Sequence, residues 1–304
     1  MEFSDKSLIF LISQPRAGST LLQKILGAHT EIHTLQEPWI MLHPFYALKP
    51  GKYQAEYNAQ WASEALSLFL EALPHGEDDY FEGVRRMYTY LYNCALSSSG
   101  KTFFLDKTPR YYSIIPELFR TFPSAHFIVI IRNPLAVLCS VLDYFTKGDL
   151  NLLHLYREDL LSAPAAIKDG IKLLGPQCIR VTYEGLIGNP ESEVSRICSK
   201  LGTPFTPDMI NYGSSPGVKW KFGDKNSVQK KDRPDHRHID KWISALSDPQ
   251  TWQLVYDYLE YLGDEAIQDM GYDPGTLRDT VLQNRPGSLW PFKKRGLLDL
   301  LKKP

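Results

Sequence analysis

Four short apolar runs punctuate the first two thirds of the chain, at 8–12, 102–105, 127–131 and 178–182. Unbroken apolar runs of this length, rather than alternating ones, suit strands buried on both faces. Between and after them apolar residues return at helical spacing, over 20–28, 57–73, 81–97, 135–145 and 191–201. Strand and helix in alternation predict an α/β fold: a P-loop-like, mostly parallel central β-sheet flanked by helices. The stretch 212–238 breaks this pattern, being rich in Gly, Ser, Lys, Asp and Pro. A loop of that length in a compact domain is usually a functional one, and it predicts a lid. Helical spacing resumes over 240–262 through Trp242, Ile243 and Leu246. No internal repeat is visible, so the expectation is a single domain over 1–304, with a helical insertion at about 39–100.

The chemistry sits where the runs end. Leu8-Ile9-Phe10-Leu11-Ile12 leads into Ser13-Gln14-Pro15-Arg16-Ala17-Gly18-Ser19-Thr20 and then a helix. A helix start presents backbone N–H groups and partial positive charge, a seat for an anion. Gly18 lets the backbone come close, Ser19 and Thr20 add hydroxyls, and Arg16 adds a forked cation. A turn merely shaped by Gly18 is the plainer alternative. The loop lacks the Gly-Lys pair of G-x-x-x-x-G-K-[ST], which argues against a magnesium-bound nucleoside triphosphate. The third run ends in Arg132-Asn133-Pro134, with Ser140 two helical turns later. Ligands of open α/β sheets bind beyond the carboxyl ends of strands, where Arg132 stands. A second anion site and a structural ion pair both fit Arg132 taken alone.

Composition narrows the partners. With 304 residues and a net charge of −1, the chain gives no electrostatic argument for nucleic acid. Its four cysteines are scattered without a CxxC pair, which speaks against a zinc cluster or disulfide framework and suits a cytoplasmic protein. No carboxylate–histidine cluster has metal-ligand spacing. The basic tail at 288–304, with Lys293, Lys294, Arg295, Lys302 and Lys303, is read as packing Leu297, Leu298 and Leu301 on the body rather than as a membrane contact.

The two loops together carry a resemblance. Pro15-Arg16-Ala17-Gly18-Ser19-Thr20, with Arg132-Asn133-Pro134 and Ser140, resembles the two cofactor motifs of the sulfotransferases. The shape of the first loop most resembles tyrosylprotein-type and bacterial polyketide-pathway members. The resemblance implies 3′-phosphoadenosine 5′-phosphosulfate (PAPS) as donor and PAP as product, with no metal. It places the 5′-phosphosulfate on Arg16, Ala17, Gly18, Ser19 and Thr20, and the 3′-phosphate on Arg132 and Ser140. Tyr183-Glu184-Gly185-Leu186 looks like the family's Tyr-Glu-Asp-Leu stretch, which makes Tyr183 a contact of the adenosine; a core aromatic at the strand end is the alternative. Ser227, with Asn226 as its rival, and Lys241 resemble residues of the loop that closes over the nucleotide.

The same resemblance implies the catalytic roles. Glu37, in Leu35-Gln36-Glu37-Pro38-Trp39, stands at the same distance from Arg16 as the catalytic Glu of tyrosylprotein sulfotransferases. It is the expected base; an exposed loop Glu is the alternative. Lys107, in Leu105-Asp106-Lys107-Thr108-Pro109, is the expected cation on the leaving group, against an ordinary Asp106–Lys107 surface pair. Arg16 shares that role. His29, His33, His43, His126, His154, His236 and His238 are rival bases. The acceptor is expected to be a small or carrier-bound molecule with a hydroxyl or amine, received by the aromatic-rich 39–92 segment and by carboxylates such as Glu77, Asp78, Asp79 and Asp224. A kinase-like P-loop enzyme, or a PAPS-binding protein without catalysis, are the alternatives.

Overall fold

The computed structural model describes residues 4–214, 233–234, 239–287 and 296–302. The first half runs β1 (Leu8–Ser13), α1 (Ser19–Gly27), β2 (Ile32–Thr34), α2 (Leu42–Ala47), α3 (Ala59–Glu71), α4 (Glu77–Ser97) and β3 (Phe103–Lys107). Then come α5 (Ile115–Thr121), β4 (His126–Ile131), α6 (Pro134–Val141), α7 (Ala163–Leu174), β5 (Cys178–Thr182), α8 (Tyr183–Gly188) and α9 (Pro190–Leu201). The last described stretch is helical: α10 (Lys241–Ala245), α11 (Pro249–Asp269), α12 (Pro274–Gln283) and α13 (Leu297–Leu300).

The five strands form one sheet in the order β2-β3-β1-β4-β5, and every pairing is parallel. Successive side chains of a strand point to opposite faces, so both sides of this sheet need cover. Leu8, Phe10 and Ile12 of β1 join Phe104, Phe127 and Val129 in one core under α4, α5 and α7. Ile9 and Leu11 join Leu105, Ile128, Ile130 and Val181 in the other, under α1, α8 and α9. Phe10 shows why the strand reads as an unbroken apolar run: its ring meets Tyr92, Tyr111, Phe122 and Phe127. Full burial of such a side chain stabilises by roughly 1.5–3 kcal/mol. A third core joins α6 to α10, α11 and α12.

The structure corrects several boundaries. Residues 32–34, outside the four apolar runs, form β2, an edge strand paired with β3. The run at 102–105 extends to Lys107, so two charged residues lie inside a strand. The expected helix 135–145 is α-helical only to Val141 and continues as a π-helical turn, Leu142–Thr146. The pattern 240–262 is two helices, and α11 itself breaks at Gly263 (φ 71°). In the tail Leu297 and Leu301 are buried as expected, while Leu298 is exposed. The insertion is helical, as α2, α3 and α4. Only α4 puts a full face into the core, through Phe81, Val84, Tyr88, Tyr92 and Leu96. Trp61 and Phe69 of α3 stay in solvent. No helix among the described residues is long and apolar enough to cross a membrane.

Candidate functional site

A parallel sheet delivers all its carboxyl ends to one edge, and the candidate site is built there. β1 ends at the Pro15–Thr20 loop, β2 leads to Glu37, β3 ends at Lys107, β4 at Arg132 and β5 at Tyr183. A cavity of about 950 Å³ opens over this edge, lined by Arg16, Gly18, Ser19, Thr20, Glu37, Arg132, Ser140 and Tyr183.

The first loop turns by two left-handed residues, Arg16 (φ 72°) and Gly18 (φ 97°). Such a φ is costly for arginine, and the surroundings hold it there. The Ala17 N–H donates to Gln14 O at 3.1 Å, and Arg132 Nη1 donates to Arg16 O at 3.1 Å. The Arg16 guanidinium lies 4.0 Å from the Tyr144 ring centroid, and its Nε donates to Ser140 Oγ at 3.1 Å. Ser140 thus meets the first motif directly. Gly18 is the N-cap of α1, with no side-chain cap on the helix start. A Cβ at Gly18 would stand 2.3 Å from Tyr183 Cδ2, so the loop and the start of α8 are in direct contact.

Arg132 lies over that ring, its guanidinium 4.3 Å from the Tyr183 centroid. Burial lowers the Arg132 pKa from its ordinary value, Tyr183 and Glu184 oppose this, and nearby Arg16 adds to it. Glu184 clamps the turn: one carboxylate oxygen accepts from Asn133 N at 3.0 Å, the other from Tyr272 OH at 2.7 Å. Gly185 stands where the resembled motif has Asp. Its N–H donates to Thr182 Oγ1 at 3.1 Å, and a Cβ there would meet that oxygen at 2.7 Å. Here the hydroxyl of Thr182 caps α8 and leaves little room for a side chain at 185.

Lys107 and Glu37 form a buried ion pair, so neither alternative of a surface residue holds. Lys107 is fully buried, and its Nζ also donates to Thr20 Oγ1 at 3.3 Å. Burial lowers the Lys107 pKa; Glu37 works against the shift and Arg16 with it. The second Glu37 oxygen accepts from Trp39 Nε1 at 3.1 Å. Trp39 is itself left-handed (φ 59°), its N–H donating to Thr108 Oγ1 at 3.3 Å. Thr108 in turn donates to Asp106, which also accepts from Tyr92 and Tyr111. Glu37 is therefore held by a chain of buried polar groups that reaches into the core.

Burial pushes Asp106 up to about 6, against three hydroxyl donors and Lys107. The unfolded chain ionises Asp106 near 3.8, so between these values the native protein keeps a proton that the unfolded chain releases. The native state is favoured by that proton below about pH 4 and loses the advantage as pH rises through about 6. Relative to Asp106→Asn, the wild-type protein is expected to lose about 3 kcal/mol across this interval. Urea unfolding of both proteins at the two ends checks it, and a constant difference between them contradicts the assignment.

Among the described residues, the rival histidines lie away from the cavity. His29 is buried, accepting from Glu31 N at Nδ1 and facing Pro204 O at Nε2. His33 packs on Phe104 in β2, and His126 begins β4 at the opposite edge of the sheet. His154 is half-buried, facing Asn151 O, and His43 lines a separate cavity. His236, His238, Asn226, Ser227 and Asp224 lie outside the described residues. Of the expected lid, Tyr212, Arg233 and Pro234 line the cavity. Lys241 lines it too, exposed and paired with Asp143 at 2.9 Å. The expected acceptor carboxylates are committed elsewhere: Glu77 and Asp78 to Arg120, and Asp79 to His75. Tyr144 and Arg110 line the cavity too, with no signal in the local sequence, beside Trp39 of the aromatic-rich segment. All four cysteines are free.

The model of the Sulfotransferase family matches residues 8–207. Nodulation protein NoeE of Sinorhizobium fredii is 27% identical over 88% of this chain, which spans 66% of that relative's length. A putative protein-tyrosine sulfotransferase of Caenorhabditis briggsae is 24% identical over 88% of this chain and 90% of its own. The sulfotransferase domain of the curacin biosynthetic pathway superposes with a TM-score of 0.57 at 18% identity, covering 87% of this chain and 97% of that domain. The sulfotransferase domain of the Synechococcus PCC 7002 olefin synthase gives 0.53 at 24% identity, over 78% and 87%.

Proposed function

The chain belongs to the sulfotransferase family, and we propose that it moves a sulfuryl group from PAPS to a hydroxyl or amine of a small or carrier-bound acceptor. One observation carries this reading: Arg16 and Arg132, from the ends of two strands, line the same cavity, and Lys107, from the end of a third, lies buried against Glu37 and Thr20 of its lining. Burial lowers the pKa of both Lys107 and Arg132 and Arg16 adds to it, so positive charge is concentrated where an anion would be held. The cavity has the size of a cofactor site. The close approach of Gly18 to Tyr183, with Arg132 over the same ring, gathers an aromatic surface and a cation beside the first loop, as a flat, multiply charged ligand requires.

In this reading Arg16, Ala17, Gly18, Ser19 and Thr20 hold the 5′ end, and Arg132, Ser140 and Tyr183 the far phosphate and adenosine. Lys241 closes the rim, and Ser227 is assigned with it by resemblance. PAPS supplies an activated sulfuryl group on a phosphate leaving group. Glu37 takes the acceptor's proton on a carboxylate lone pair left over by Lys107 and Trp39. Lys107 keeps a positive charge beside Thr20, at the loop where negative charge builds up on the leaving side. Arg16 shares that charge stabilisation.

Thermal unfolding with PAP, ATP and adenosine 5′-phosphosulfate tests the donor. A ligand at one hundred times its dissociation constant adds about 2.7 kcal/mol. PAP is expected to stabilise at lower concentration than the other two. Because Arg132 also holds Arg16 O, the informative quantity for Arg132→Ala is the ratio of affinities. The preference for PAP over adenosine 5′-phosphosulfate should fall at least tenfold, by about 1.4 kcal/mol. Stabilisation by ATP equal to that by PAP rejects the reading.

A further inference from the structure

A second cavity, of about 660 Å³, lies beside the first, and Trp39 and Arg110 line both. We propose that this second cavity holds the body of the acceptor while its reactive group reaches past Trp39 to Glu37, and that the acceptor is an uncharged molecule with flat ring faces. The inference rests on the sulfuryl-transfer reading above and names its acceptor class.

Trp39 ties the two spaces together. Its indole N–H donates to Glu37 at the donor side, while its ring forms part of the wall of the second cavity. Arg110 stands 5.4 Å from that ring. Beyond them the wall is aromatic, with Tyr46, Tyr53, Tyr57 and Tyr112. Three of these phenols spend their hydroxyls inside the protein: Tyr46 on Ser113 Oγ, Tyr53 on Ala59 O, and Tyr112 on Asp159. They present rings to a ligand more than hydrogen-bonding groups, and ring faces stack on flat partners.

The charges of the wall argue against an ionic acceptor. Arg110 is spent on Asp159 through two bonds, Nε to Oδ1 at 3.1 Å and Nη2 to Oδ2 at 2.6 Å. Asp159 is buried and takes a further bond from Tyr112. The other titratable groups of the lining, tyrosines aside, are His43, Lys52 and Glu158, which accepts from Ser162. An acidic peptide needs a basic wall and a polyamine an acidic one, and this wall has no excess of either sign. A phenol and a sugar ring share the uncharged flat face that fits.

Equilibrium dialysis of the full chain against 2-naphthol, cellobiose and a short Glu-rich tyrosine peptide tests this, with and without PAP. At least one neutral probe is expected to bind tenfold more tightly than the peptide, and which one binds separates a phenolic from a glycosidic acceptor. The double substitution Tyr53→Ala, Tyr57→Ala should weaken that probe at least tenfold and leave PAP affinity within twofold. Tighter binding of the peptide, no binding of either neutral probe, or indifference to the double substitution each overturns the proposal. Tyrosine-dependent binding of a neutral probe in a protein that ignores PAP keeps the cavity assignment and rejects the sulfuryl-transfer reading instead.

Discussion

Glu37→Gln is expected to lower turnover by about 10²–10⁴, the usual worth of a positioned base, while PAP affinity stays within twofold. The amide keeps the size of the carboxylate but has no basic lone pair for the acceptor's proton. It also meets two donors at once. Lys107 Nζ and Trp39 Nε1 each donate to one oxygen of Glu37, and an amide offers only one oxygen. The other position becomes an N–H₂ facing a donor. Lys107 then lies buried without a counter-charge, and breaking such a pair destabilises by about 3–5 kcal/mol. Activity is therefore read as labelled-sulfate transfer per folded molecule, with the folded fraction taken from PAP-dependent thermal unfolding. Turnover within tenfold of wild type would remove Glu37 from the chemistry. Loss of PAP binding as well would make it a structural residue of the nucleotide site.

β1, β3 and β4 are legible as apolar runs buried on both faces, and β5 as a short run in which buried Ile179 and Val181 alternate with half-buried residues. β2 is not, since Ile32–Thr34 is three residues long and two of them are polar. It is a strand because β3 offers it a hydrogen-bonding edge. β3 runs on past its apolar stretch for a related reason. Asp106 and Lys107 look like the end of a strand, and what lets them be buried comes from far along the chain: Tyr92, Tyr111, Glu37 and Thr20. Local pattern carries no trace of such partners. The loop residues Arg16 and Arg132 were visible as charges at strand ends, but Glu37 came from resemblance alone. Its burial, its pairing with Lys107 and its clamp by Trp39 are properties of the assembled edge. Tyr144 had no local signal either. It is placed against Arg16 by the π-helical turn that follows α6. The aromatic-rich 39–92 segment divides into core and solvent by helical face: Tyr88 and Tyr92 point inward, Trp61 and Tyr90 outward.

Gly18→Ala is expected to disable both halves of the nucleotide site with one methyl group. Gly18 sits at φ 97°, where an L residue is strained. Its Cβ would lie 2.3 Å from Tyr183 Cδ2 and 2.9 Å from Cε2, inside any tolerable contact. The ring has little room to move, because Tyr183 is buried and already in contact with the Arg132 guanidinium, 4.3 Å from its centroid. Arg132 in turn donates to Arg16 O, so displacement of the ring returns to the loop that began it. Backbone strain and overpacking together should cost about 2–4 kcal/mol of stability. PAP affinity should fall at least tenfold, because the loop amides and Arg132 move together. Urea unfolding gives the first quantity and PAP titration of the folded protein the second. The double substitution Gly18→Ala, Tyr183→Ala separates the causes. Removing the ring relieves the collision and should recover part of the stability, whereas the φ strain stays. If the single variant bound PAP as tightly as wild type, the contact between Gly18 and Tyr183 would not be what couples the first loop to Arg132.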